Sequence, residues 1–165
     1  MRLLGIDPGL NLTGYACVEL SSGSIHPQLI EAGVIRLARG ASMPERLVEL
    51  EKELDSIIEE LKPSKVVVES LFSHKDYRQA SLLMGHARGV ILLCAARRGL
   101  GTDELAPAEV KKALTGSGRA SKEQVQEAVA VQCKLAEPPE PPDVADAIAI
   151  AICAGRREQH LMLGG

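Results

Sequence analysis

The sequence predicts an α/β fold: a mixed five-stranded sheet with helices on both faces. Three observations lead there. Apolar runs of strand length end in an acid at Asp7 and again at Glu69. Two hairpin-like returns precede any helical pattern, and a long amphipathic stretch then separates the third strand from the run ending at Glu69. Consecutive antiparallel strands followed by a helical crossover give a sheet with both pairing senses.

Taken in order, LLGID reads as a short buried strand, stopped at once by Pro8 and Gly9. Residues Thr13 to Leu20 return as a second strand. Ser21, Ser22 and Gly23 form a turn, and Leu29 to Leu37 make a third strand of an antiparallel meander. Ser42 with Glu45 has the spacing of a capping box, and Leu47, Leu50, Leu54, Ile57 and Leu61 mark one face of a helix that Pro63 ends. Lys65 to Glu69 is β-branched and is reached by that crossover, so it is expected parallel to the first strand.

A long helix is expected over roughly Asp76 to Arg98, with Ala80, Leu83, Met84, Ala87, Val90, Ile91 and Cys94 on a broad apolar face. A short strand over Gly101 to Leu105 and a helix from Pro107 follow, and Ser121 with Gln124 caps another helix. The run AIAIAI alternates with period two, which would suit a strand. Alanine is the best helix former and poor in strands, and Pro141 and Pro142 suit a helix entry, so a helix is predicted here.

The 165 residues are 45% hydrophobic, enough for one domain with a substantial core. The expected division is a single domain over 1–158 and a short flexible tail over 159–165. No apolar run approaches the length of a membrane span, and no signal-like leader is recognised at Met1, so a cytoplasmic protein is expected. Cys17, Cys94, Cys133 and Cys153 are widely spaced in apolar surroundings, which suggests buried thiols rather than a zinc site or a disulfide framework. The net charge of −3 is unevenly spread: residues 70–135 carry 10 basic groups against 6 acidic ones. That leaves room for a surface that meets a phosphate backbone.

Four carboxylates stand where apolar stretches end or begin: Asp7, Glu69, Asp143 and Asp146. Parallel neighbouring strands bring their carboxyl ends to one sheet edge, so Asp7 and Glu69 should converge. On a helix, Asp143 and Asp146 are three apart and face the same way. Asp143 alone also suits an N-cap. Asp146, set inside an Ala/Ile run, needs a cation or a hydrogen-bond partner, because an unpaired buried carboxylate is costly. A set of acids with no clustered His or Cys selects hard ions such as Mg²⁺ or Mn²⁺. Two such ions about 4 Å apart would activate water and stabilise a leaving 3′ oxygen in phosphodiester hydrolysis.

The segment KKALTGSGRASKEQV places Lys111, Lys112, Arg119 and Lys122 around a glycine loop and a helix start. This composition suits phosphate contact and equally describes an ordinary solvated loop. Gly85 and Gly89, four apart on the long helix, permit close backbone approach, either within the subunit or by a second copy. His74 and His86 could assist proton transfer or be structural.

GIDPGLNLTGYA at 5–16, ESLF at 69–72, GHARG at 85–89, KKALTGSGRASKEQV at 111–125 and DVADAIAIAI at 143–152 together resemble RuvC, the bacterial Holliday-junction resolvase family. The resemblance covers about residues 2–155. It implies an RNase H-like fold and a homodimer that nicks four-way DNA junctions symmetrically, in recombination and repair. It implies two Mg²⁺ ions per site, replaceable by Mn²⁺, held by Asp7, Glu69, Asp143 and Asp146. It further implies DNA contacts by Lys111 and Lys122, an aromatic at Phe72 that stacks on junction bases, a dimer contact around Gly85 and Gly89, and cooperation with RuvA and RuvB. Two other readings use parts of the same pattern. A related nuclease acting on structured RNA or RNA–DNA hybrid would use the same acids, and GIDPG alone also resembles the phosphate loop of actin-like nucleotide-binding modules.

Overall fold

In the computed structural model, which describes residues 1–21, 26–70 and 78–163, the described residues form five strands and five helices. Strand β1 (Arg2–Asp7) pairs antiparallel with β2 (Leu12–Glu19), and β2 with β3 (Gln28–Arg36). Helix α1 (Met43–Leu61) then crosses to β4 (Lys65–Glu69), which lies parallel to β1, and α2 (Arg78–Arg97) leads to β5 (Gly101–Leu105), parallel to β4. The sheet order is β3-β2-β1-β4-β5. Helices α3 (Pro107–Thr115), α4 (Lys122–Cys133) and α5 (Pro142–Leu163) complete the chain.

The expected helix signals act locally as written. Ser42 and Glu45 form the capping box of α1, and Ser121 and Gln124 that of α4, where Gln124 N–H donates to Ser121 Oγ at 3.2 Å. Helix α1 ends at Lys62, whose backbone is left-handed and whose N–H donates to Ile58 O. The period-two run at 147–152 is helical, as alanine propensity requires. Helix α5 also continues through 159–163, where a flexible tail was expected; Glu158, Gln159, Leu161 and Met162 are good helix formers that extend it.

Alternation along the strands sends side chains to two cores. Leu4, Ile6, Val66 and Val68 meet Leu50, Leu54 and Ile58 of α1 and Ile91 of α2 on one face. Leu3, Val67 and Leu105 meet α3, α4 and α5 on the other, through Val110, Val125 and Ile148. Each buried aliphatic side chain contributes roughly 1.5–3 kcal/mol. Cys17, Cys94 and Cys153 are buried free thiols, and Cys133 is half-buried.

Helix α5 approaches the sheet unusually closely. A Cβ on Gly5 would lie 2.6 Å from Ala151 N and 2.7 Å from Ala147 O, and one on Gly14 would lie 2.1 Å from Asp143 O. Glycine in these two strands therefore admits the helix backbone itself. This contact sets the height of the α5 amino end above the edge where β1 and β4 finish.

Candidate active site

Strands β1, β4 and β5 are parallel, so their carboxyl ends share one edge. Ile6 is in register with Val68, which makes Asp7 and Glu69 the next positions on adjacent strands. Gly5 and Val67 face α5, and by the two-residue period Asp7 and Glu69 do too. The first turn of α5 brings Asp143 over β2 beside Gly14, and Asp146 comes one turn later. Asp143 lies inside the helix after Pro142 and so is not its N-cap.

A cleft of about 230 Å³ opens at this edge, lined by Asp7, Glu69, Pro107, Val110, Lys111, Lys122, Val125, Asp146 and Ala149. Lys122, the first residue of α4, extends its ammonium to Asp146 Oδ2 at 2.9 Å. Burial pushes the Asp7 carboxyl up from 3.8 to about 7, and the negative charges of Asp146, Glu69 and Asp143 add to this against a smaller opposing effect of Lys122. Burial also raises Glu69, reinforced by Asp146 and opposed by Lys111 and Lys122. Lys122 is raised, chiefly by its hydrogen bond to Asp146.

The expected residues thus divide. Asp7, Glu69, Asp146, Lys111 and Lys122 meet in the cleft. Asp143 stands outside its lining, yet close enough for its charge to act on Asp7. Lys112 and Arg119 are exposed beyond the lining, on α3 and in the loop that follows it. Gly85 and Gly89 lie in a stripe with Leu82 and Leu93, which are 66% and 46% exposed. Among the described residues, nothing beyond the helix's own backbone and chain neighbours lies within 4 Å of a Cβ added at either glycine. His86 is exposed on the same helix. Phe72, His74 and the turn at Ser22 and Gly23 lie outside the described residues.

The direct Lys122–Asp146 pair and the apolar wall of Val110, Val125 and Ala149 were not among the sequence-based expectations. Asp146 carried the available signal, since its position demanded a cationic partner. Among the described residues no three carboxylate, imidazole or thiol groups are gathered tightly enough to hold an ion as they stand. The donor set is nevertheless all hard oxygen, and its crowding is what a hard divalent cation offsets.

The comparisons with known proteins agree with this geometry. The family model described as "Crossover junction endodeoxyribonuclease RuvC" matches residues 3–154. The protein of that description from Rhodopirellula baltica is 47% identical over 151 residues, 92% of this chain and 84% of that one. Its counterpart from Heliobacterium modesticaldum is 44% identical over 93% of each chain. The Thermus thermophilus RuvC structure superposes with a TM-score of 0.84 at 30% identity, covering 99% of this chain and 97% of that one. The T. thermophilus RuvC structure in complex with a Holliday junction substrate gives a TM-score of 0.83 at 28% identity over 96% of each. With the strand order, the acid-lined edge and a match over nearly its whole length in agreement, this chain belongs to the RuvC family of crossover junction endodeoxyribonucleases.

Proposed function

We infer that the protein is a structure-selective endodeoxyribonuclease that resolves four-way (Holliday) DNA junctions by hydrolysing one phosphodiester in each of two strands. The observation that carries this is the juxtaposition, at one sheet edge, of three crowded carboxylates with two lysines in a single narrow cleft. A phosphodiester is anionic and unreactive; it needs cations at the reacting phosphate and a water delivered in line with the leaving oxygen.

Asp7, Glu69 and Asp146, with Asp143 at the rim, would hold divalent cations, Mg²⁺ with Mn²⁺ as a substitute. Ions held there would supply Lewis-acid activation of water and charge stabilisation at the leaving 3′ oxygen. Lys111 and Lys122 supply fixed positive charge for the non-bridging oxygens, and Val110, Val125 and Ala149 limit the water around the reacting group. Water oxygen bonds to phosphorus as the P–O3′ bond breaks, leaving a 5′-phosphate and a 3′-hydroxyl. Lys112, Arg119 and Phe72 are further candidates for contacts with the arms and the exposed bases.

A second copy would dock on the stripe of Leu82, Gly85, Gly89 and Leu93, giving two clefts related by a twofold axis, as two symmetric nicks require. Among the described residues no helix is long and apolar enough to cross a membrane. On the family reading the protein would act in the cytoplasm with RuvA and RuvB. Neither the RNA-directed nor the nucleotide-binding reading has support from the comparisons.

The test offers an end-labelled four-way junction, a linear duplex and an RNA–DNA hybrid to the protein with Mg²⁺, and resolves each strand on a denaturing gel. Paired nicks in the junction alone, absent in Asp7→Asn, are expected. Preferential cutting of the hybrid would move the function to an RNA-directed nuclease.

A further inference from the structure

Strand β3 ends at the same sheet edge as Asp7, and its last residue has no role in the cleft. Arg36 is paired across the sheet with Leu12. Leu12 and Gly14 share a face, and Gly14 lies under the amino end of α5, so Arg36 starts from the face that carries Asp7 and Glu69. Asp7 is in register with Gly14 and Gly14 with Val34, which leaves Arg36 two strands across and two residues further on. At about 4.8 Å between strands and 3.4 Å per residue, the Asp7 and Arg36 backbones are about 12 Å apart. Successive phosphates of one DNA strand lie about 6–7 Å apart, farther than the axial rise of about 3.4 Å, so that distance spans roughly two nucleotides.

The loop after Arg36 is built rather than slack. Leu37 N–H donates to Asn11 O at 3.1 Å and Ala38 N–H to Glu49 Oε2 at 3.2 Å. Arg46 spends its guanidinium on this loop: Nε donates to Ala38 O at 3.0 Å, Nη1 to Asn11 Oδ1 at 3.3 Å, and Nη2 to Arg39 O. The backbone that carries Arg39 is thereby tied to the loop that follows Asp7. The side chains of Arg36 and Arg39 are left exposed, with no hydrogen bond or ion pair to any described residue.

Several other cations among the described residues are matched. Arg2 pairs with Glu19, Lys65 with Asp103 and Glu158, Arg97 with Glu51, and Arg98 with Asp55. Two guanidinium groups held unmatched on a braced loop beside the acid edge are therefore available to an external anion. Guanidinium binds phosphate oxygens in bidentate fashion, which suits a strand that must be oriented as well as attracted.

We propose that Arg36 and Arg39 form a second phosphate-binding site, across the acid edge from Lys111 and Lys122, that grips the cleaved DNA strand about two nucleotides from the reacting phosphate. The inference rests on the junction-cleaving function proposed above. The strand is then held at the reacting phosphate by Lys111 and Lys122 in the cleft and again beyond β2 by the arginines. This fixes the direction in which the strand crosses the sheet.

The test measures binding of a fluorescent four-way junction by anisotropy in EDTA, over a series of salt concentrations. Arg36→Gln with Arg39→Gln should weaken binding about tenfold or more at low salt and lower the log–log salt slope by roughly 0.9 for each arginine removed from a bound protomer. Arg36→Lys with Arg39→Lys should keep the slope. Neutral methylphosphonates placed two and three nucleotides from the cut should weaken binding of the parent and add nothing to the glutamine double variant. An unchanged slope in a double variant that melts like the parent overturns the site while leaving the nuclease reading intact. A parent that binds the junction no better than linear duplex overturns both.

Discussion

Where α1 and α2 cover the sheet, the contact is made by Leu50, Leu54, Ile58 and Ile91; where α5 covers it, Ile148 packs in the same way, but the closest approach is made by Gly5 and Gly14 against the backbone of Ala147, Ala151 and Asp143. Long aliphatic side chains stabilise by area removed from water, and they can absorb small shifts of the backbone by adjusting rotamers. Glycine against a helix backbone has no side chain to adjust, so it fixes the separation of two elements. The face that carries Asp143 and Asp146 uses this second kind of contact. Carboxylates drawn from three separate elements can form one site only if those elements keep their distance to a fraction of an ångström, and small residues impose that constraint.

The sharpest break of this comparison pairs one substitution from each face. Gly14→Ala places a Cβ 2.1 Å from the carbonyl oxygen of Asp143, so the start of α5 has to move. A cost of about 1–3 kcal/mol is expected, lowering Tm by roughly 2–4 °C per kcal/mol for a chain of this size. Junction cleavage should fall on the order of a hundredfold, because a shift of about 1 Å misplaces the acids. Leu54→Ala leaves a cavity under α1 and should cost about 2–5 kcal/mol, with cleavage retained within about twofold below its Tm. Melting curves and single-turnover cleavage of the two variants decide the matter. Equal retention of cleavage would show that both faces serve only stability.

A smaller effect separates stability from function within the site. Asp7 titrates near 7 in the fold against 3.8 ordinarily, so the folded state binds an extra proton between about pH 4 and pH 7. Folding stability contributed by this group is complete below pH 4, declines as pH rises through the window, and is level above it. Glu69, also raised, acts with the same sign. In chelator-treated protein Tm should therefore fall from pH 4 to pH 7, the fall should flatten in Asp7→Asn, and that variant should melt above the parent at pH 8 while losing cleavage. A parent whose Tm does not change over this range would mean that Asp7 is solvated and ordinary.

The sequence discloses these two faces unequally. The large-residue face was legible in Leu47, Leu50, Leu54, Ile57 and Leu61, because helical periodicity is a local pattern. Asp7 and Glu69 were legible because each closes an apolar run, and their adjacency followed from the helical crossover. The helix over the 147–152 run was legible once alanine propensity was weighed against the period-two pattern, whereas its continuation through 159–163 was not. The Lys122–Asp146 pair joins two helices whose relative placement depends on how α4 and α5 dock on the sheet, and no local pattern encodes that. Gly5 and Gly14 carried a signal that passed unused: an isolated glycine in a strand marks close approach by another backbone. The unmatched state of Arg36 and Arg39 depends on how the chain folds around them, and no local pattern encodes it.

The least expected effect concerns charge on the α1–α2 face, where Arg98 Nε and Asp55 Oδ1 are 3.3 Å apart with side chains 36% and 41% exposed. Pairing at that exposure is screened by water, and holding two mobile side chains together costs entropy, so a double-mutant cycle with Arg98→Gln and Asp55→Asn should give a coupling of about 0.2–1 kcal/mol. The coupling should shrink toward zero near 1 M salt, where the screening length is about 3 Å. Cleavage by all three variants should match the parent, since neither residue reaches the acid edge. A coupling above about 2 kcal/mol that persists in high salt would mean that charge positions α2 against α1, and the division of labour between a tolerant hydrophobic face and a constrained functional one would have to be redrawn.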